Sequence, residues 1–258
     1  MIKYSLIGFI AELEKQKRNG TYTILFIFSL GVSICYFLLY IIGPESYVST
    51  LGTNPWVNFI NRNISLYSFI GFPILTILLS SQLISVENRA SSWKLLFTTT
   101  FSKVQILIVK VLLINFLMIF SLLLFFATVA SMGYILSLIH PEYEFLYFNA
   151  DWNELISNLG LLFFSCLGVL GFHFFLSVAF RRQVISIVAG IILLIVGFLV
   201  SLLNPDYSDY IFYAYPSSFM DFGIGHVASQ STKEMMLKST IYFLFFVTLS
   251  FRFLKRKL

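Results

Sequence analysis

The sequence predicts an all-α membrane protein, with six transmembrane helices preceded by an amphipathic helix at the membrane surface. Three observations carry that prediction. Six long apolar blocks recur along the 258 residues, each near the ~20 residues a helix needs to cross a bilayer. Charged residues make up only 11% of the chain, against about 25% in a soluble domain. The basic residues collect in alternate gaps between the blocks, as they do in a chain that threads a membrane back and forth.

The elements follow in order. Residues 1–21 form the leading segment, in which Leu6, Phe9, Ile10 and Leu13 recur at helical spacing. Glu12, Lys15, Gln16 and Asn19 are assigned to the opposite side. With Lys15 and Lys17 at its end, this helix is expected to lie in the membrane interface. The spans are placed at about 22–42, 64–86, 104–139, 155–180, 184–203 and 235–254. The second contains Pro73, the third carries only Lys110 near its start, and the fourth holds His173. The runs are too continuous for barrel strands, which alternate over about 10 residues. The first span is too long for a cleavable leader, so it is expected to stay in the chain. Residues 1–258 therefore read as one transmembrane domain.

Fourteen of the 17 Lys and Arg residues fall on one face of this threading, and nine of the 12 acidic residues on the other. The positive-inside rule then places both termini in the cytoplasm. The net charge of +5 follows from that orientation and gives no reason to invoke nucleic acid.

Several chemistries lack their residues. No phosphate-binding G-x-x-x-x-G-K-[ST] loop, no H-E-x-x-H and no C-x-x-C occurs, so neither nucleotide nor metal is expected on this chain. The two cysteines, Cys35 and Cys166, lie inside apolar blocks and read as small hydrophobes. No span carries Asp or Glu at mid-depth, where ion-coupled carriers and intramembrane enzymes need ionisable groups. His173 is the one titratable group well inside a span. It reads either as a proton relay or substrate contact, or as a hydrogen-bonded link between helices. Gly168 and Gly171, one turn apart, mark close helix packing. The loop 204–234 is rich in Tyr and Phe and suits a segment lying in, or dipping into, the outer interface.

The cytoplasmic island 87–103 is too polar to span and too patterned to be a bare linker. A serine cap at 91 or 92 would start a short helix with Trp93, Leu96 and Phe97 on one face. Trp93 beside Lys94, Arg89 and Glu87 suits either a protein partner or the headgroup layer.

This arrangement resembles the permease subunits of type-two ABC exporters. The matching residues are Glu12, Lys15 and Lys17 before the first span. After the second they are Glu87, then Ser92-Trp93-Lys94-Leu95-Leu96, Ser102-Lys103 and Lys110. Where that family often has a proline ahead of the Ser-Lys pair, Thr100-Phe101 stands here. Tyr215-Pro216-Ser217 in the last outer loop resembles the element of permeases that give immunity to lantibiotics and bacitracin-like peptides. The resemblance implies a non-catalytic subunit in a bacterial cell membrane, exporting a hydrophobic or amphipathic cargo such as an antimicrobial peptide or lipid. ATP and magnesium would sit on a separate ATPase, which would press on Glu87, Arg89, Trp93, Lys94, Leu96 and Phe97. A second copy or a similar permease would complete the membrane unit. Readings outside this class are an ATP-independent channel or carrier, an intramembrane enzyme, or a structural membrane component of the same fold.

Overall fold

The computed structural model describes residues 2–17, 19–43, 54–89, 103–180, 182–219 and 232–257. These residues form helices and turns and, among those described, no strand. The amphipathic helix runs Ile2–Lys17. Six helices are long and apolar enough to cross a membrane: Thr21–Ile42, Pro55–Glu87, Val104–Ile139, Trp152–Ala179, Gln183–Leu203 and Lys233–Leu254. They are called spans one to six below.

Span two departs from the sequence reading. It was expected from residue 64, but the helix starts nine residues earlier, at Pro55. Asn58, Asn61, Arg62 and Asn63 dilute the hydropathy there. Packing overrides this, because Trp56, Phe59, Ile60 and Ile64 repeat at helical spacing and are buried. The start is well capped. The Asn54 side chain accepts the Trp56 backbone N–H at 3.0 Å, and Pro55 occupies the first turn, where a missing N–H costs nothing. Trp56 donates its indole N–H to the Phe145 carbonyl at 2.9 Å. Edge-on contacts with Tyr134, Phe145 and Trp152 surround it.

Midway, span two widens into one π-helical turn, Tyr67–Gly71, where the Phe72 N–H reaches back to the Tyr67 carbonyl. Pro73 explains the turn. It has no N–H for the Phe69 carbonyl and its ring crowds that carbonyl, so the ladder must re-register. Tyr67 holds the widened turn in place. Its ring stacks on Phe125 with centroids 3.9 Å apart. Its hydroxyl meets Ser121 Oγ at 2.8 Å, and Ser29 Oγ meets the same atom at 2.8 Å. Spans one, two and three are joined there.

The layers follow from burial. Spans two, three and four are 72%, 61% and 67% buried over their most apolar windows, against 22%, 17% and 22% for spans one, five and six. The first three form the interior, and the others present wide apolar faces to their surroundings. Spans two and three, with 33 and 36 residues, are about 50 Å long at 1.5 Å per residue. That exceeds the ~30 Å hydrocarbon thickness, so they tilt in the bilayer or extend past its hydrocarbon. Spans four and six approach closely at Gly171, where a built Cβ would lie 2.8 Å from the Phe243 Cα.

Candidate functional site

At the end of the bundle that carries the amphipathic helix, four charges meet. Lys110 of span three lies 2.8 Å from Glu12 Oε2 and 2.9 Å from Glu87 Oε1. Lys15 lies 2.7 Å from Glu12 Oε1 and 3.1 Å from the same Glu87 oxygen. Two lysines and two glutamates thus close a neutral ring across three elements. Glu12 and Lys15 come from the amphipathic helix, Glu87 from the end of span two and Lys110 from the beginning of span three. Glu87 opens the island 87–103 at the end of span two, and Lys110 lies in span three beyond it, so the ring joins the two helices that flank the island.

The ring is dry. Lys110 and Glu87 are buried, and only Lys15 is substantially exposed. Burial by itself would raise the Glu12 pKa. The adjacent Lys110 charge and hydrogen bonds from Lys110 and Lys15 outweigh it, holding the carboxyl below its usual 4.5. Burial would likewise lower the Lys15 pKa, but its bonds and charge contacts with Glu12 and Glu87 keep it above 10.5. Removing one partner from such a ring leaves a buried charge uncompensated, at a cost of about 3–5 kcal/mol. Short bonds fix the helix beside it. Thr21 donates to Gln16 Oε1 at 2.8 Å, Tyr22 donates to the Leu13 carbonyl at 3.2 Å, and the Gln82 amide donates to the Asn19 carbonyl. Gly20, at φ 71°, lets the chain turn from this helix into span one.

The amphipathic helix is therefore oriented differently from the sequence reading. Glu12 and Gln16 were assigned to its solvent side, and both are buried. They share the inward face with Phe9 and Leu13, which pack against the core. Phe9 meets Phe116 edge-on at 5.6 Å. Ile10, expected on the apolar face, is exposed. The physical reason is that Glu12 and Gln16 find partners inside, in Lys110 and Thr21, that solvent would otherwise have supplied. Lys17 is exposed and bonds Glu14 at 2.6 Å. Leu6 belongs to the helix, but its side chain lies outside the described residues.

Glu87, expected among the residues that couple to an ATPase, is buried and reaches the island's flanking helices through the ring. Arg89 ends its helix, with its side chain outside the described residues. Trp93, Lys94, Leu96 and Phe97 also lie outside them. Sequence reasoning named Glu12 and Lys110 only among the residues that carry the family resemblance, with no site role given to either. The available signal was a lone lysine in a 36-residue apolar helix, which must have a counter-charge.

A second polar group lies deep in the bundle. His173 Nδ1 meets Ser186 Oγ of span five at 3.0 Å, and Nε2 meets the Tyr213 hydroxyl at 2.5 Å. Gly168 and Gly171 lie on the same span. The Gly168 N–H donates to Ser239 Oγ of span six at 2.9 Å, and that hydroxyl donates to the Ser165 carbonyl at 3.0 Å. Tyr215 and Pro216 begin a 3-10 turn, Tyr215–Phe219, and the Tyr215 hydroxyl donates to the Asp209 carbonyl at 3.0 Å.

Fold and site together define a polytopic helical membrane subunit whose charged clamp brackets an inter-span island. Residues 9–197 match the family described as ABC-2 family transporter protein, and the chain belongs to that family. It is thus a membrane permease subunit of the ABC transporter class. No curated protein and no solved structure matches it.

Proposed function

We propose that the chain is the permease of an ATP-driven exporter, with both termini in the cytoplasm of a bacterial cell. A separate ABC ATPase, carrying ATP and magnesium, docks on the island around Trp93. The observation that carries this reading is the ring of Glu12, Lys15, Glu87 and Lys110. A push on the island reaches its two flanking helices first. The ring then obliges the amphipathic helix to move with them, because parting buried charges costs about 3–5 kcal/mol. Spans two and three and the amphipathic helix so act as one lever on the thinly buried spans one, five and six. A two-state repacking biased from one end is the physical requirement for such transport.

A hydrophobic or amphipathic cargo fits the apolar faces of those outer spans. A second copy or a similar permease would cover part of them and lipid the rest. Tyr215-Pro216-Ser217 supports an antimicrobial peptide of the lantibiotic or bacitracin type as cargo. The test is purification of the chain with the ABC ATPase of its host, followed by Trp93→Ala with Lys94→Ala. The expected result is an intact complex whose cargo-stimulated ATP hydrolysis falls severalfold. Failure of any ATPase to co-purify, or unchanged stimulation in the double variant, would overturn the reading.

A further inference from the structure

The chain after span five turns back into the bundle. Beyond the single helical turn Pro205–Ser208, residues 211–217 pack into the bundle, with Phe212 and Tyr213 between spans four and five and the following turn also against span two. A Cβ built on Gly197 would lie 2.6 Å from the Tyr213 backbone carbonyl carbon. A Cβ built on Gly168, on the facing span, would lie 3.2 Å from Phe212 Cβ. Gly197 is six residues inside the end of span five, roughly 9 Å at 1.5 Å per residue. The Tyr213 side chain continues inward to His173. The imidazole itself lies against Gly190, where a built Cβ would come 2.8 Å from Cε1. Gly190 and Gly197 are two turns apart on one face, so span five carries a groove shaped to both residues. This segment also lies beyond the residues that match the family.

Backbone buried in this way is unusual, because loops normally keep their polar groups in water. A short polar chain holds it. Tyr213 meets His173 at 2.5 Å, His173 meets Ser186 at 3.0 Å, and Ser177 donates to Ser186 at 3.2 Å. Nearer the surface, Ser201 Oγ meets Ser217 Oγ at 2.7 Å. A neutral imidazole donates at one nitrogen and accepts at the other, so both of its bonds are satisfied only while Tyr213 is seated. Withdrawing the segment would strand His173 in an apolar nest of Ile77, Val169, Phe172 and Leu194 unless water entered. Seating and hydration are therefore the two ways in which both nitrogens of His173 can be satisfied.

We propose that residues 211–217 are a plug, that the Tyr213–His173 bond is its catch, and that withdrawal of the plug opens a water-filled cleft between spans four and five. The inference goes beyond the coupling reading and needs no ATPase for its test. The full chain in lipid nanodiscs, with Cys35→Ser and Cys166→Ala, carries Val169→Cys as a reporter in the buried nest. Its reaction with a water-soluble maleimide is followed by mass spectrometry. Tyr213→Phe is expected to raise the labelling rate about tenfold, the population change that one lost hydrogen bond produces. Adding Ser201→Cys and Ser217→Cys and oxidising them should pin the plug and return the rate to that of the parent. If Tyr213→Phe is not monodisperse, Ser186→Ala loosens the same catch and carries the same expectation. A rate unchanged in the loosened variant, or still raised after the disulfide has formed, would overturn the plug.

Discussion

Lys110 shows how a single residue organises this molecule. It is fully buried and would be unstable alone, yet it bonds two carboxylates from two other elements. Lys110→Met should lower stability by about 3–5 kcal/mol, because Glu12 and Glu87 would then be buried with only the half-exposed Lys15 between them. Adding Glu12→Gln and Glu87→Gln should recover most of that loss, since neutral amides need no counter-charge. Thermal unfolding followed by circular dichroism measures both. A triple variant no more stable than Lys110→Met would show that packing, not charge, holds the site. The ring also sets a pH dependence. Glu12 in the fold titrates below its ordinary value, so its contribution is present above about pH 4.5 and is lost as pH falls through the lowered value. Lys15 is raised, so its contribution is present below about pH 10.5 and is lost as pH rises through the raised value. Glu12→Gln should therefore flatten the acid limb of a stability profile and also weaken the alkaline limb, because Glu12 is the leading partner that raises Lys15.

At the scale of elements, the spans were legible in the sequence because their apolar runs are long and continuous. Span two was legible only in part. Its first turns carry three asparagines and Arg62, and what makes them helical is contact between Trp56 and residues 134, 145 and 152, far away in sequence. The amphipathic helix was legible as a helix but not in its facing. Periodicity groups Glu12 with polar neighbours, and only a distant lysine reveals that it turns inward. The glycines of span four were legible as a packing signal, and their partners were not. Gly171 touches the backbone of span six at Phe243, whereas Gly160 has no atom within 4 Å of a built Cβ. Gly171→Val should thus force spans four and six apart and cost about 1–3 kcal/mol. Gly160→Ala should leave stability unchanged or raise it, by no more than about 1 kcal/mol. Equal losses from the two substitutions, read by thermal unfolding in the same detergent, would contradict this reading of the crossing.

For the whole molecule, orientation rests on charge distribution, because six spans of either sense would bury the same surface. The proposed orientation, with the amphipathic helix, the charge ring and the island in the cytoplasm, is the one that fourteen basic residues against three favour. This is also the only arrangement in which an ATPase could reach the island. Two exposed positions at opposite ends of the bundle decide the matter. Tyr147, between spans three and four, is 83% exposed, and the Lys17 side chain is 61% exposed. In a Cys35→Ser background, Tyr147→Cys should react with a membrane-impermeant maleimide on intact cells. Lys17→Cys should react only after the membrane is opened. The reverse pattern would place the ring outside the cell and remove any route from cytoplasmic ATP to spans two and three. Reaction of both positions on intact cells would mean that the basic gaps do not fix one orientation, and the lever would then lack a defined input side.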